Sequence, residues 1–293
     1  MILRVAALAA SLAVLQQPPQ FHIETRLVVL HATVRNARGE LVTGLTREAF
    51  RVFENGTPQP ITVFRSDDVP VSLGLLIDNS GSMRTKRAKV EAAALDFARA
   101  SNPRDEIFVL NFADKSRIDV PFTSDLHTLE AGIARVDSIG GTALLDAIAA
   151  GEAYVARHAE RDRKALVVIT DGNDNASLTS LEAIRVAAEQ ADIALYAVGL
   201  LGDSNPHAGR ARHDLERLSQ STGGVASFPG SVEQIGDVAL DLARQIRTQY
   251  TIGYTPLNQA LDGSYRAIRV AARGPETLSV RSRTGYRAIP SHP

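Results

Sequence analysis

A chain of 293 residues, 44% of them hydrophobic, can fill a core of its own, which excludes disorder over most of its length. Its 32 Lys and Arg nearly cancel its 33 Asp and Glu, so no global field favours nucleic acid or an anionic membrane, and partners must be found by a local site. It has no Cys, which removes disulfides, thiolate metal sites, thiol nucleophiles and a lipid-anchored lipoprotein together; any metal must be held by oxygen or imidazole.

The first residues, Met1 to Leu15, carry one early charge at Arg4 and then an apolar run, followed by polar Gln16-Gln17-Pro18-Pro19-Gln20. This is the outline of a signal peptide. The run is shorter than the roughly 20 residues that span a bilayer, and small Ser11 and Ala13 suit a cleaving peptidase. Residues 1–20 are therefore expected to be a leader, and the protein to be exported, periplasmic or extracellular. The rival expectation is an uncleaved anchor.

From Ile23 to Arg65 the pattern is that of strands: Leu27 to Val34, Phe50 to Phe53 and Ile61 to Phe64. Asn55-Gly56 predicts a tight hairpin between the last two, because both positions tolerate positive φ. Thr46 to Phe50 reads as a single helical turn capped by Thr46.

From about Val71 to Tyr250, apolar strand-like runs alternate with amphipathic helical ones. The runs are Val71 to Ile77, Glu106 to Phe112, Ala165 to Thr170 and Ile193 to Leu200, with weaker ones at Ile118 to Phe122 and Val225 to Phe228. Helical patterns cover Lys86 to Ala100, Leu126 to Val136, Ala143 to His158, Ser180 to Ala191, Arg210 to Ser221 and Val232 to Gln249, with Asp125, Thr142 and Thr179 as caps. Such alternation predicts a doubly wound, mostly parallel sheet with helices on both faces. Strands return at Tyr250 to Tyr254, Tyr265 to Val270 and Leu278 to Arg281, with Asp262-Gly263 as the turn between the first pair. Neither flanking β segment buries enough surface alone. The two ends are expected to meet in one small β-sandwich-like domain: 21–68 its first half, 69–249 the inserted α/β domain, 250–287 its second half and 288–293 a tail.

The chemistry-bearing residues sit at the carboxyl ends of the predicted strands, where open parallel sheets bind ligands. Asp78-Asn79-Ser80-Gly81-Ser82 follows the first α/β strand. Asp78 supplies charge, Ser80 and Ser82 supply neutral oxygens, and Gly81 lets the loop turn, a donor set that suits a hard cation. Ser138-Ile139-Gly140-Gly141-Thr142 offers a hydroxyl before a helix, and Asp171-Gly172-Asn173-Asp174-Asn175 offers a carboxylate after a strand. Topology brings all three toward one crevice.

Taken in order, Asp78-Asn79-Ser80-Gly81-Ser82, Gly140-Gly141-Thr142 and Ile169-Thr170-Asp171-Gly172 resemble the metal-ion-dependent adhesion site of von Willebrand factor type A domains, over roughly Val71 to Gln249. The resemblance implies a Rossmann-like fold. It further implies that Ser80, Ser82 and Thr142 ligate Mg²⁺ or Mn²⁺ (Ca²⁺ remaining open), while Asp78 and Asp171 act largely through bound waters. Val42-Thr43-Gly44-Leu45-Thr46, Phe50 and Phe53-Glu54-Asn55-Gly56 more loosely resemble the lead-in of a bacterial group of exported proteins related to this domain. A metal-dependent binding module is thus expected, capturing a Glu or Asp carboxylate of a protein partner, with no nucleic acid and no catalytic residue.

Blander readings stand beside these. Asp174 reaches the crevice rim or closes an Asx turn, the turn being favoured. Asn79 fixes its loop rather than the ion. His22, His31, His127, His158, His207, His213 and His292 lack metal spacing and read as surface or packing residues. Arg84, Lys86, Arg87 and Lys89 read as a solvated basic face that can also attract an acidic partner. Metal-dependent hydrolysis is the weaker alternative, since no phosphate loop, Gly-x-Ser-x-Gly elbow or His-Glu-x-x-His is present. An envelope scaffold joined through sheet edges, with the metal serving stability only, is the alternative of a different class.

Overall fold

The structure is a computed structural model that describes residues 27–134, 139–172, 174–190, 192–202 and 207–289. The leader-like segment, His22, Val136, Ser138, Asn173, Ala191 and His292 lie outside the described residues. The elements run in chain order as β1 (Val28–Asn36), β2 (Phe50–Glu54), β3 (Thr57–Gln59), β4 (Ile61–Arg65), β5 (Val71–Asp78), α1 (Arg87–Ala100), β6 (Glu106–Phe112), β7 (Ser116–Thr123) and α2 (Leu126–Ile133). They continue as α3 (Leu144–His158), β8 (Arg163–Thr170), α4 (Leu181–Gln190), β9 (Ile193–Gly199), α5 (Ala208–Thr222), β10 (Ala226–Ser227), α6 (Ile235–Arg247), β11 (Tyr250–Tyr254), β12 (Tyr265–Ala272), β13 (Leu278–Arg281) and β14 (Gly285–Arg287).

A six-stranded sheet in the order β10-β9-β8-β5-β6-β7 forms the centre, parallel except for β7, which runs antiparallel to β6 at the edge. The continuous apolar runs follow from burial on both faces, and every residue of β5 is buried. Edge strand β7 instead alternates, carrying Arg117 and Asp119, and such charges discourage further pairing. One face packs against α1, α2 and α6 through Val90, Phe97, Leu129, Ile235 and Leu242. The other packs against α3, α4 and α5 through Leu144, Ile148, Ile184 and Leu215. Each fully buried Leu or Ile contributes about 1.5–3 kcal/mol. From β5 the chain moves outward to β6 and β7, then crosses back to β8 on the other side, so strand order reverses at the carboxyl end of β5.

The terminal segments form two four-stranded sheets, β13-β1-β11-β4 and β14-β12-β2-β3, closed on a shared core of Leu30, Val34, Phe50, Val52, Tyr250, Tyr254, Val270 and Tyr286. The α/β unit leaves from β4 and returns into β11, and these strands are antiparallel neighbours (Arg65 opposite Thr251), so its insertion does not interrupt the sandwich. Deep in that core Glu54, 3% exposed, accepts hydrogen bonds from Tyr254 (2.7 Å) and Tyr286 (2.9 Å). At the joint, Arg163 at the start of β8 donates to Gln249 (2.7 Å), whose amide donates to Thr33 (3.2 Å) and Tyr196 (2.8 Å).

Several local expectations are corrected. Asn55 (φ 47°) and Gly56 (φ 80°) do make a two-residue turn, but its second strand is Thr57–Gln59. Past Pro60, Ile61–Arg65 crosses to the other sheet and pairs with β11. Asp262-Gly263 likewise separates β11 from β12, which lie in different sheets. Thr46 does precede a single turn (Arg47–Ala49), yet its hydroxyl makes no capping bond. Thr142 and Thr179 are not the caps of α3 and α4. Ala143 precedes α3, whose first amides donate to Asp174 and Ser177, and Ser180 accepts from Ala183 N at α4. The helix predicted over Val232 to Gln249 starts as a single tight turn and ends at Arg247, which frees Gln249 for the joint. Asp125 caps α2 as predicted, accepting from His127 N and Thr128 N.

Candidate metal centre

Asp78 ends β5 at the point of strand reversal and is fully buried. Its Oδ1 accepts from Ser80 N (2.8 Å), which bends the chain so that Ser80 and Ser82 bring their hydroxyls together, Oγ to Oγ 3.0 Å. Its Oδ2 accepts from Thr170 Oγ1 (2.7 Å) at the end of the adjacent β8, and the same Thr170 oxygen accepts from Gly172 N (2.9 Å). One carboxylate therefore sets both the Ser80–Ser82 turn and the start of the Asp171 loop. Burial pushes the Asp78 carboxyl above its ordinary range; the Thr170 and Ser80 bonds oppose this only in part, and neighbouring Asp171 adds to it.

The Gly140–Thr142 loop lies alongside. Gly81 N donates to Gly140 O (3.1 Å) and Ile139 N to Asn79 O (3.1 Å), while Asp114 accepts from Gly141 N (2.7 Å) and Asn175 Oδ1 from Thr142 N (2.9 Å). The two glycines have a steric reason. A Cβ on Gly140, already at φ +98°, would fall 2.3 Å from Asp114 Oδ2, and one on Gly141 would fall 2.6 Å from Asn175 Oδ1. Thr142 is thereby held buried between two polar clamps.

Asp171, 6% exposed, offers two unlike oxygens. Its Oδ2 accepts from Lys86 Nζ (3.2 Å), which also reaches Leu200 O (3.3 Å). Its Oδ1 is buried and has no hydrogen-bond partner. Because a buried, unsatisfied carboxylate oxygen is costly, this one marks a place for a donor or a cation. The loops thus bring Asp78, Ser80, Ser82, Thr142 and Asp171 to one end of the sheet, all buried except Ser82, which opens to solvent. Hydroxyl and carboxylate oxygens with no sulfur or imidazole are a hard donor set, and they fit Mg²⁺ or Mn²⁺. Among the described residues no group of three or more His, Cys, Asp or Glu forms a metal cluster, so such a cation must rely on the hydroxyls.

Other residues fall where their chemistry puts them. Asn79 fixes the loop, its N donating to Phe112 O (2.7 Å) and its Nδ2 to Asn111 Oδ1 (2.6 Å). Asp174 closes its own turn, accepting from Ser177 N (3.1 Å), and serves the start of α3. The basic run is corrected in part. Lys86 turns into the site, and Arg87 pairs with Glu91 and donates to Ile133 O; Arg84 and Lys89 are exposed. Thr170 and Asn175 stand in the motifs read from sequence without a role of their own, and Asp114 is absent from them, although it follows the end of β6 at the same end of the sheet as Asp78 and Asp171.

Residues 73–173 match the family model of the von Willebrand factor type A domain. The fold is similar to a von Willebrand factor type A structure from Catenulispora acidiphila, with a TM-score of 0.53 and 13% identity over 92% of this chain and 75% of that one. It is similar as well to proximal thread matrix protein 1 of the mussel byssus, with a TM-score of 0.52 and 16% identity over 66% of this chain and 51% of that one. An aerotolerance-related membrane protein from Bacteroides fragilis aligns with 60% of this chain and 99% of its own, with 15% identity and a TM-score of 0.48. No functionally curated protein matches in sequence. The family match spans Asp78, Ser80, Ser82, Thr142 and Asp171, and these residues lie at one end of the doubly wound sheet.

Proposed function

We propose that the crevice at the carboxyl ends of β5 and β8 holds one divalent cation, Mg²⁺ or Mn²⁺, and that through it the protein captures an acidic side chain of a partner protein. The observation that carries this reading is the partnerless, buried Asp171 Oδ1, on a carboxylate that neighbours Asp78, which in turn holds the turn of the converged Ser80 and Ser82 hydroxyls. Ser80, Ser82 and Thr142 would hold the ion directly, with Asp78 and Asp171 supplying the negative charge. A bound cation supplies an incompletely neutralised positive charge that takes a carboxylate oxygen as a further ligand.

The residues present tune that charge. Lys86 offsets one of the two carboxylates, so Asp78 and Asp171 would leave a doubly charged ion incompletely neutralised and able to attract an anion. Ile139 (67% exposed) and Leu178 (96% exposed) lie on the two loops that flank Thr142, and burial of such exposed apolar side chains by a partner can add affinity. Ser80 Oγ is hydrogen-bonded to Ser82 Oγ rather than to a base, which supports binding over catalysis. Export is proposed on the leader-like sequence; among the described residues no helix is long and apolar enough to cross a membrane.

The test is capture of partners from an envelope extract on immobilised wild type and Asp78→Asn, each in Mg²⁺ and in EDTA. Capture by wild type in Mg²⁺ alone is the expected result. Capture that persists in EDTA and in Asp78→Asn would overturn the reading in favour of a scaffold with a structural ion.

A further inference from the structure

The carboxylate oxygens of Asp78 and Asp171 are unequally engaged. Asp78 Oδ1 accepts from Ser80 N (2.8 Å) and its Oδ2 from Thr170 Oγ1 (2.7 Å), both neutral donors. Asp171 Oδ2 instead accepts from the Lys86 ammonium (3.2 Å), while its Oδ1 has no donor. Lys86 thus sets a full positive charge against one oxygen of the carboxylate whose other oxygen is free. The ammonium is held in place by a second acceptor, Leu200 O (3.3 Å), just past the end of β9. Leu200 N donates to Thr170 O (2.8 Å), which ties this segment to the strand that leads into Asp171. The other end of Lys86 is fixed as well, its N donating to the carbonyl of fully buried Met83 (2.9 Å), directly after the Ser80–Ser82 turn. Pinned at both ends and 21% exposed, the side chain has little room to withdraw its charge from Asp171.

A dication that took both oxygens of Asp171 would share Oδ2 with this ammonium, and two cations on one oxygen repel each other strongly in a buried site. Asp171 is therefore left with one oxygen to offer. That restriction weighs differently on different ions. Ca²⁺ gathers more oxygens than Mg²⁺ and often takes a carboxylate through both, whereas the smaller Mg²⁺ keeps several of its waters and needs fewer protein oxygens. We infer that Lys86 is a specificity-determining residue of the metal centre, which selects Mg²⁺ and Mn²⁺ against Ca²⁺ by restricting Asp171 to a single free oxygen. This rests on the cation site proposed above and names the residue that sets its choice of ion.

The test is Mn²⁺ binding to the metal-stripped protein, read as loss of the free-ion paramagnetic resonance signal, with Mg²⁺ and Ca²⁺ as competitors. In wild type, Mg²⁺ is expected to displace Mn²⁺ at about one-tenth of the concentration that Ca²⁺ requires. Lys86→Met and Lys86→Gln both remove the charge, and Gln keeps a donor. In each the preference should shrink about tenfold, because Ca²⁺ gains more than Mg²⁺ from the freed oxygen. Ca²⁺ that competes as well as Mg²⁺ in wild type, or an unchanged ratio in either neutral variant with a native circular dichroism spectrum, would overturn the inference and leave the cation site standing. Wild type that binds no Mn²⁺, or Asp78→Asn that binds it equally well, would overturn the cation site and the inference with it.

Discussion

The substitution Asp78→Asn separates the fold of the site from its charge. In the metal-free protein the wild-type carboxylate is fully buried, accepts from Ser80 N and Thr170 Oγ1, and faces Asp171. An asparagine can keep both contacts, its Oδ1 accepting from Ser80 N and its Nδ2 donating to Thr170 Oγ1 after the hydroxyl rotates. It also removes a buried charge. The sign follows from the raised carboxyl: the folded state binds the proton more tightly than the unfolded chain, so this group's contribution is full at low pH and is lost as pH rises through the folded value. At neutral pH metal-free Asp78→Asn should therefore equal wild type or exceed it, by up to about 2 kcal/mol. Asp78→Ala strands both donors and should lose about 2–4 kcal/mol. Mg²⁺ at a hundredfold excess over its Kd should add about 2.7 kcal/mol to wild type, about 5–10 °C in Tm, and nothing to Asp78→Asn. Thermal melts in EDTA and in Mg²⁺ read both effects. A full Mg²⁺ shift in Asp78→Asn, or a metal-free Asn variant less stable than the Ala variant, would refute the reasoning.

Substitutions at three further positions probe the site and the sandwich. Lys86→Met leaves Asp171 without its cation, so the metal-free Tm should fall by the equivalent of about 1–3 kcal/mol while the Mg²⁺-induced gain grows, because ammonium and metal no longer share one carboxylate; a smaller gain in the same melts would show that Lys86 orients Asp171 instead. In the sandwich, Glu54→Ala removes the acceptor of two buried tyrosine hydroxyls and should cost about 3–5 kcal/mol in urea unfolding, whereas Glu54→Gln should recover most of it; equal losses would contradict the hydrogen-bond account. His31, held down to about 3 by burial and then by Arg163 and Arg283, is neutral in the fold but protonates near its ordinary 6.5 when unfolded. Its contribution is thus full above pH 6.5 and is lost toward pH 3, at up to about 1.4 kcal/mol per pH unit, and His31→Gln should flatten that slope relative to wild type.

The sequence was most legible where one local pattern has one structural cause. Val71 to Ile77 and Ala165 to Thr170 read as buried parallel strands because burial on both faces leaves a nearly continuous apolar run, and the acidic residues that follow them, Asp78 and Asp171, sit where strand order reverses. Period-two strands said less about partners. Nothing in Ile61–Arg65 reveals that the chain changes sheets at Pro60, since its side chains alternate equally well on either sheet. The supports of the centre were hidden for a related reason. Asp114, Asn175, Thr170 and Lys86 act across 27, 33, 92 and 85 residues, separations over which no local pattern pairs a residue with its partner. Lys86 was the most misleading, as its neighbours Arg84 and Lys89 are exposed while its own ammonium turns inward to Asp171 and Leu200 O.

The central claim is that a divalent cation binds among Asp78, Ser80, Ser82, Thr142 and Asp171, and anomalous diffraction from crystals of the protein soaked in Mn²⁺ tests it most directly. The account predicts one strong anomalous peak within bonding distance of the Ser80 and Ser82 hydroxyls, absent from Asp78→Asn crystals treated in the same way. A Mn²⁺ peak elsewhere with none at this crevice, or an undiminished peak in Asp78→Asn, would contradict it.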